Sequence, residues 1–125
     1  MNRTIKFRGK RIDNGQWVYG FLAEDYYIND VNSQDFPSIE IAPETVGQFT
    51  GLFAADGHEI YENDLVECAG ILCEIVYNEY IGSFVLLEVL SQCLGNEAIR
   101  KMQDMFGFSY KGNIHDNPEL LSSKE

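Results

Sequence analysis

The sequence is poor in positive charge, and it contains no long hydrophobic run. Its 9 Lys and Arg residues face 20 Asp and Glu residues, which gives a formal net charge of −11. Such a charge repels phosphate backbones, which disfavours unaided binding of nucleic acid. There is no window of about 18 apolar residues and no apolar signal core near the start. We therefore expect a cytoplasmic protein that does not engage a membrane.

Cysteine and histidine are also scarce. Cys68, Cys73 and Cys93 are an odd number without C-x-x-C spacing, which argues against a disulfide framework and against a common zinc motif. We expect them to be reduced, partly buried thiols. Neither a Cys–His nucleophile pair nor a metal site at His58 and His115 matches a known spacing. The sequence thus predicts no catalytic, cofactor-binding or metal-binding residues, and no cofactor.

Aromatic residues, by contrast, are plentiful, with 8 Phe, 7 Tyr and 1 Trp among 125 residues. Large rings suit the half-buried, pleated surface of a β-sheet. A chain of this length with 45% hydrophobic residues fits one domain. We predict a mainly β domain over residues 1–125, with an N-terminal β subregion (1–45), a barrel-like subregion (46–121) and a flexible tail (122–125).

Apolar and basic residues alternate over positions 4–12, which predicts a half-buried strand with Ile5 and Phe7 facing inward. The Asn14-Gly15 pair favours a two-residue type I′ turn, and hence a hairpin into a second strand over residues 16–22. A short strand and a polar loop are predicted over 23–38. Another strand at Ile39–Ile41 should end before Pro43, because proline cannot donate to a ladder.

The second predicted strand is apolar on both faces. Trp17, Tyr19 and Phe21 share one face, while Val18 and Leu22 point the other way. A strand of this kind is typical of a position between two layers or against a partner.

Basic residues are concentrated near the start of the chain. Five of the nine lie within the first eleven positions, including Arg8 and Lys10. This basic strand on an acidic body is suited to an acidic face of a second copy, although a solvated strand is the simpler interpretation.

The central stretch, residues 46–66, alternates short apolar runs with Gly, Asp and Asn. Gly47, Gly51 and Gly57 are predicted to form tight turns, the last of them a hairpin. Strands over residues 65–68, 71–77 and 84–90 follow, joined by short turns. Such a meander favours a small SH3-like barrel in the C-terminal half.

One short helix is predicted after the meander. Asn96 can cap a helix over residues 97–106, and Gly107 can end it. Its apolar residues at helical spacing are Ile99, Met102, Met105 and Phe106. We expect this stripe to cover the sheet, and we expect a last strand over residues 108–115.

Four acids cluster in the central stretch: Asp56, Glu59, Glu62 and Asp64. In principle they can supply a general acid and a general base. Their spacing follows turns, however, so a solvated rim in which Asp64 or Asn63 hydrogen-bonds a turn backbone is the better interpretation.

Three separated blocks of residues form a pattern characteristic of one family. The first block is Ile5–Arg8 with Trp17–Gly20. The second is Pro43–Leu52, continued by Asp56–Gly57, Glu59–Glu62 and Asp64–Val66, and the third is Gly112–Leu121. Here the sequence resembles the YopX family of phage and prophage proteins. The resemblance implies a mainly β fold with a barrel-like portion, a phage or prophage origin and self-association, and it carries no catalytic residues over. The sequence departs from the family pattern at Asn63, where glycine is more usual, and at Phe53-Ala54-Ala55, where polar turn residues are more usual.

These observations lead to three hypotheses about function. The first is a non-catalytic protein-binding module, not an enzyme, that forms a homo-oligomer or binds a host or phage protein. The second is a small enzyme or ligand-binding domain that uses the acids between Asp56 and Asp64. The third is nucleic-acid association through the basic strand that contains Arg8 and Lys10, which the net charge disfavours.

Overall fold

The computed structural model describes residues 5–24, 26–30 and 38–122. Within them it contains ten strands in two antiparallel sheets, one α-helix and two 3-10 helices, which confirms the predicted mainly β class. The chain divides into two compact units, Met1–Gly51 and Leu52–Glu125. None of the helices in the described segments is long and apolar enough to cross a membrane.

The first unit is a sheet with the strand order β4-β3-β2-β1-β5, in which neighbours are antiparallel. Its elements are β1 (Phe7–Lys10), β2 (Trp17–Ala23), β3 (Tyr27–Asp30), β4 (Ser38–Glu40), a 3-10 helix (Pro43–Thr45) and the start of β5 (Gly47–Phe53). The predicted strands are all present. The polar loop predicted before β4 lies largely outside the described residues.

The predicted β1–β2 hairpin is confirmed, but the prediction of a two-residue turn was wrong. The Arg11 amide donates to the Gln16 carbonyl at 2.9 Å, and the Gly15 amide donates to the Arg11 carbonyl at 2.9 Å. Four residues therefore form the loop. The reason is that a type I′ turn needs positive φ at two residues, whereas only Gly15 has it here, at +73°; the Asn14 side chain instead accepts the Gln16 amide hydrogen.

One face of this sheet forms the core of the first unit. Val18, Ile28 and Ile41 are buried there, and Phe7 packs against them. The prediction that Ile5 faces inward was wrong, because β1 begins only at Phe7 and the Ile5 residue is 49% exposed.

In the second unit a four-stranded antiparallel sheet has the order β10-β7-β8-β9. The elements of the second unit are β6 (Glu59–Tyr61), β7 (Asp64–Cys68), β8 (Ile71–Asn78), β9 (Ser83–Glu88), α1 (Ile99–Phe106), β10 (Ser109–Asn113) and a 3-10 helix (Pro118–Ser122). The β7–β8–β9 meander is confirmed, whereas the SH3-like barrel stays a prediction. Of the predicted flexible tail, Ser122 lies in the 3-10 helix and 123–125 lie outside the described residues.

Two of the three predicted glycine turns were wrong. Gly47 and Gly51 lie inside β5, where Gly51 has φ +88° and locally interrupts the extended backbone. Gly57 does lie in a turn, with φ +95°, and its amide donates to the Ala54 carbonyl. A residue with a side chain rarely adopts such φ values, so both positions favour glycine although only one is a hairpin turn.

Helix α1 packs on the second sheet through part of its predicted stripe. Ile99 is buried and Met102 packs against the same core, but Met105 and Phe106 are about half exposed. Gly107 ends the helix, as predicted, with φ +74° and an amide that donates to the Gln103 carbonyl.

The prediction that Asn96 caps α1 was wrong. The Lys101 and Met102 amides both donate to the Ala98 carbonyl, at 3.0 and 3.2 Å, so the first turn begins there and Ala98 is the N-cap. Alanine has no side-chain acceptor, and this helix start accordingly has no side-chain capping bond.

Candidate functional site

Basic and aromatic side chains share the face of the first sheet that lies opposite its core. The β1–β2 register pairs Arg8 with Tyr19 and Lys10 with Trp17, and directly opposed residues of antiparallel strands project from the same face. Phe21 continues this row and is 60% exposed. We call these five residues, together with Lys6, the cation–aromatic face.

The cations of this face lie close to aromatic rings. The Arg8 guanidinium carbon lies 4.5 Å from the centroid of Trp17, and the Lys10 ammonium lies 5.3 Å from the same ring. The Lys6 ammonium lies 5.2 Å from the Phe49 ring. Cation–π contacts of this geometry are attractive and hold both partners in place. The half-buried Lys6 and Lys10 therefore carry the positive charge that this face presents beside its apolar area.

The prediction of a solvated basic strand was wrong at Arg8. Only 4% of this residue is exposed. Its guanidinium lies against the Trp17 ring, and a planar guanidinium tolerates such a desolvated position better than an ammonium group does.

Asp56 and His58 form a small exposed cluster in the β5–β6 turn. The Asp56 carboxylate accepts the His58 backbone amide at 3.1 Å and contacts the His58 Nδ1 at 2.8 Å. These hydrogen bonds hold the pKa of Asp56 below its ordinary value. The His58 ring also stacks on Tyr110, with centroids 4.3 Å apart. Asp56 thus stabilises its own turn.

Asp64 is different, because it is fully buried at the start of β7. Its carboxylate accepts the Tyr61 amide hydrogen at 2.7 Å. The predicted hydrogen bond to a turn backbone is therefore confirmed, while the solvated position predicted for Asp64 was wrong. The intervening Asn63 has φ +76°, a left-handed conformation that Asn tolerates better than most residues. This explains how the turn accommodates Asn at this position.

The other two acids of the central stretch are partly buried. The Tyr61 hydroxyl donates to Glu59 at 2.9 Å, and Glu62 lies in the turn before Asp64. Across the described segments, no three side chains of His, Cys, Asp or Glu are arranged to hold a metal ion. The hydrogen bonds of the acidic stretch therefore support a structural role for Asp56, Glu59 and Asp64.

Two of the three thiols are buried, whereas Cys93 is exposed. Burial raises the pKa of Cys68, and it raises the pKa of Cys73 to about 11 with smaller contributions from Cys68 and Glu88. A thiol is a weak nucleophile until it is deprotonated. Cys68 and Cys73 are therefore held in the unreactive form at neutral pH.

These thiols line an open apolar cleft of about 320 Å³ in the second unit, between the sheet and α1. Met102 and Phe106 line its helix side, and Glu88 lies on its sheet side. The pattern analysis of the sequence missed this cleft. The two-residue Ala69-Gly70 turn nevertheless fixes the β7–β8 register, in which Cys68 faces Ile71 and Cys73 faces Val66. A register derived from this turn in the sequence would have placed the two thiols on one face of the sheet.

Comparison with protein families matches residues 6–122 to the family described as YopX protein. The chain belongs to the YopX family. The match confirms the resemblance noted in the sequence. No curated protein matches the chain.

The second and third YopX blocks meet in the fold. Strand β10 pairs with β7 so that Asn113 faces Asp64, and both residues are buried. The Asn113 side chain accepts the backbone amides of His115 and Asp116 at 2.9 and 2.8 Å. The structure therefore places His115 in a turn that Asn113 organises. A buried, hydrogen-bonded corner explains why Asp64 and Asn113 suit these two positions of the chain.

Proposed function

We propose that this YopX protein is a non-catalytic phage or prophage accessory protein that acts by binding another protein in the cytoplasm of the bacterial host. The observation that carries the proposal is the cation–aromatic face. Its rings and cations lie opposite the core of the first sheet, and Phe21 exposes a large apolar surface in the middle of a strand. Aromatic residues are enriched at protein interfaces, which supports this assignment.

The partner chemistry that fits is an acidic protein surface, and a second copy of the chain offers one. Residues 52–125 contain 4 basic and 13 acidic residues, whereas residues 1–51 contain 5 basic and 7 acidic residues. Opposite charges on two surfaces favour their encounter. We therefore propose self-association in which the cation–aromatic face of one copy meets the acidic second unit of another.

Sedimentation velocity over a range of protein concentrations tests this proposal. The Phe21→Ser variant should shift association to at least about tenfold higher concentration, because a buried ring at an interface contributes more than 1.4 kcal/mol. Tyr26→Ser is the control, since Tyr26 is an aromatic residue of the first unit that is 51% exposed but lies in the turn before β3, outside the cation–aromatic face. Wild-type protein that stays monomeric, or equal effects of the two variants, would count against the proposal.

Nucleic-acid binding is the competing use of the same face, because bases also stack on aromatic side chains beside cations. The net charge of −11 opposes it. Fluorescence anisotropy with single-stranded DNA and RNA at low salt separates the two. Binding that Phe21→Ser abolishes would assign the face to nucleic acid instead of protein.

A further inference from the structure

The cleft between α1 and the second sheet has an apolar rim that is exposed. Ile71, Leu94 and Phe106 line it and are 45%, 49% and 52% exposed. Its floor includes the buried residues Cys73 and Leu86. The volume of this apolar cleft, about 320 Å³, is near the lower end of the size range of ligand sites in proteins. The site therefore suits a small molecule better than a folded partner.

Glu88 is the one charged residue among those that line this cleft in the described part of the chain. It pairs with Cys73 across the β8–β9 register, and its charge contributes to the raised pKa of that thiol. The Ser91 hydroxyl donates to its Oε1 at 2.8 Å. The backbone of Glu88 is also fixed, since its amide donates to the Cys93 carbonyl at 3.1 Å. A positioned carboxylate thus accompanies an otherwise apolar lining.

We propose that this cleft binds a small aryl-alkyl amine, with its ammonium group on Glu88 and its apolar body against Met102 and Phe106. A carboxylate in such a lining favours a cation, because a charge-assisted hydrogen bond is stronger than a neutral one. A thioether and an aromatic ring are adaptable partners for an apolar body. The proposal does not rest on the protein-binding function, which is argued from the cation–aromatic face of the first unit.

A series of three probes tests the charge preference. The probes are 4-phenylbutylamine, the neutral 4-phenylbutan-1-ol and the anionic 4-phenylbutanoate, each titrated into ¹⁵N-labelled full-length protein and followed by NMR. The amine should shift the amide signals of Glu88 and Met102 and bind about tenfold more tightly than the alcohol. The acid should bind more weakly than the alcohol. Equal affinity of amine and alcohol, or no shift at these residues, would overturn the proposal.

Two variants locate the interaction. Glu88→Gln should remove the preference for the amine over the alcohol, while Glu67→Gln should keep it, because Glu67 is an exposed strand residue outside the cleft lining. Phe106→Ala should weaken both probes, and its partly exposed position leaves folding intact. Retention of the amine preference in Glu88→Gln, with the ¹⁵N spectrum otherwise native, would refute the assigned role of this carboxylate.

Discussion

Asp64 is a single residue on which the corner between β6 and β7 depends. It is fully buried, and it accepts the Tyr61 amide hydrogen at 2.7 Å. Asp64→Ala removes this acceptor inside the fold, so the free energy of unfolding should fall by about 1–3 kcal/mol. Chemical denaturation measures the loss. Asp104→Ala, at a largely exposed position of α1, should change the stability by no more than about 0.5 kcal/mol, and an equal loss in both variants would contradict this role.

The raised pKa of the Cys73 thiol predicts that the protein loses stability at alkaline pH. Its pKa rises from an ordinary 9.0 to about 11 in the fold. Below pH 9 the thiol is protonated in both the folded and the unfolded state, whereas between the two pKa values only the unfolded state loses the proton. The free energy of unfolding should therefore decline as the pH rises from 9 to 11. Cys73→Ala should flatten this decline in denaturation curves, and an unchanged slope would show that other groups cause it.

At the residue scale, the hydrogen bonds of a side chain could be predicted from sequence patterns better than its burial could. The turn-bonding role of Asp64 followed from the known habits of Asp in turns. Its complete burial did not, because burial depends on β7 and β10 meeting across a long stretch of chain. Arg8 is a parallel case, since its stacking partner Trp17 is placed by a hairpin register that differs from the predicted one.

At the scale of elements, the start of α1 offers a direct check on helix capping. Ala98 has extended backbone angles and no side-chain capping bond. Ala98→Ser should supply an acceptor for an amide of the first turn and raise the free energy of unfolding by about 0.5–1 kcal/mol. Asn96→Ala should have little effect, because Asn96 lies outside the helix. Thermal and urea denaturation measure the stability of both variants. A large loss of stability in Asn96→Ala would show that Asn96 caps the helix after all.

Local signals also explain which elements could be predicted. The β7–β8–β9 meander follows from alternating runs separated by short turns, and each partner is the next strand in the chain. The pairing of β10 with β7 has no such local signal, since β8, β9 and α1 intervene. The cleft was missed for the same reason, because it forms only where α1 approaches the sheet.

At the scale of the whole molecule, the distribution of charge matters more than its sum. The net charge of −11 describes the chain as a whole, and a surface of that sign repels polyanions on average. The cation–aromatic face nevertheless places Lys6, Arg8 and Lys10 beside aromatic rings. An interface that joins this face to acidic residues should weaken at high salt, because ions screen exposed charges.

Covalent labelling of lysines tests the central claim most directly. Wild-type protein is acetylated briefly with an N-hydroxysuccinimide ester, at a dilution where sedimentation shows monomer and at a concentration where it shows association. Each lysine is quantified by mass spectrometry against a reference peptide in the same tube. We predict that Lys6 and Lys10 react more slowly in the associated sample. In 0.5 M salt, where the screening length falls to about 4 Å, both lysines should recover their monomer rates. Unchanged rates at both lysines in an associated sample would contradict the proposed interface.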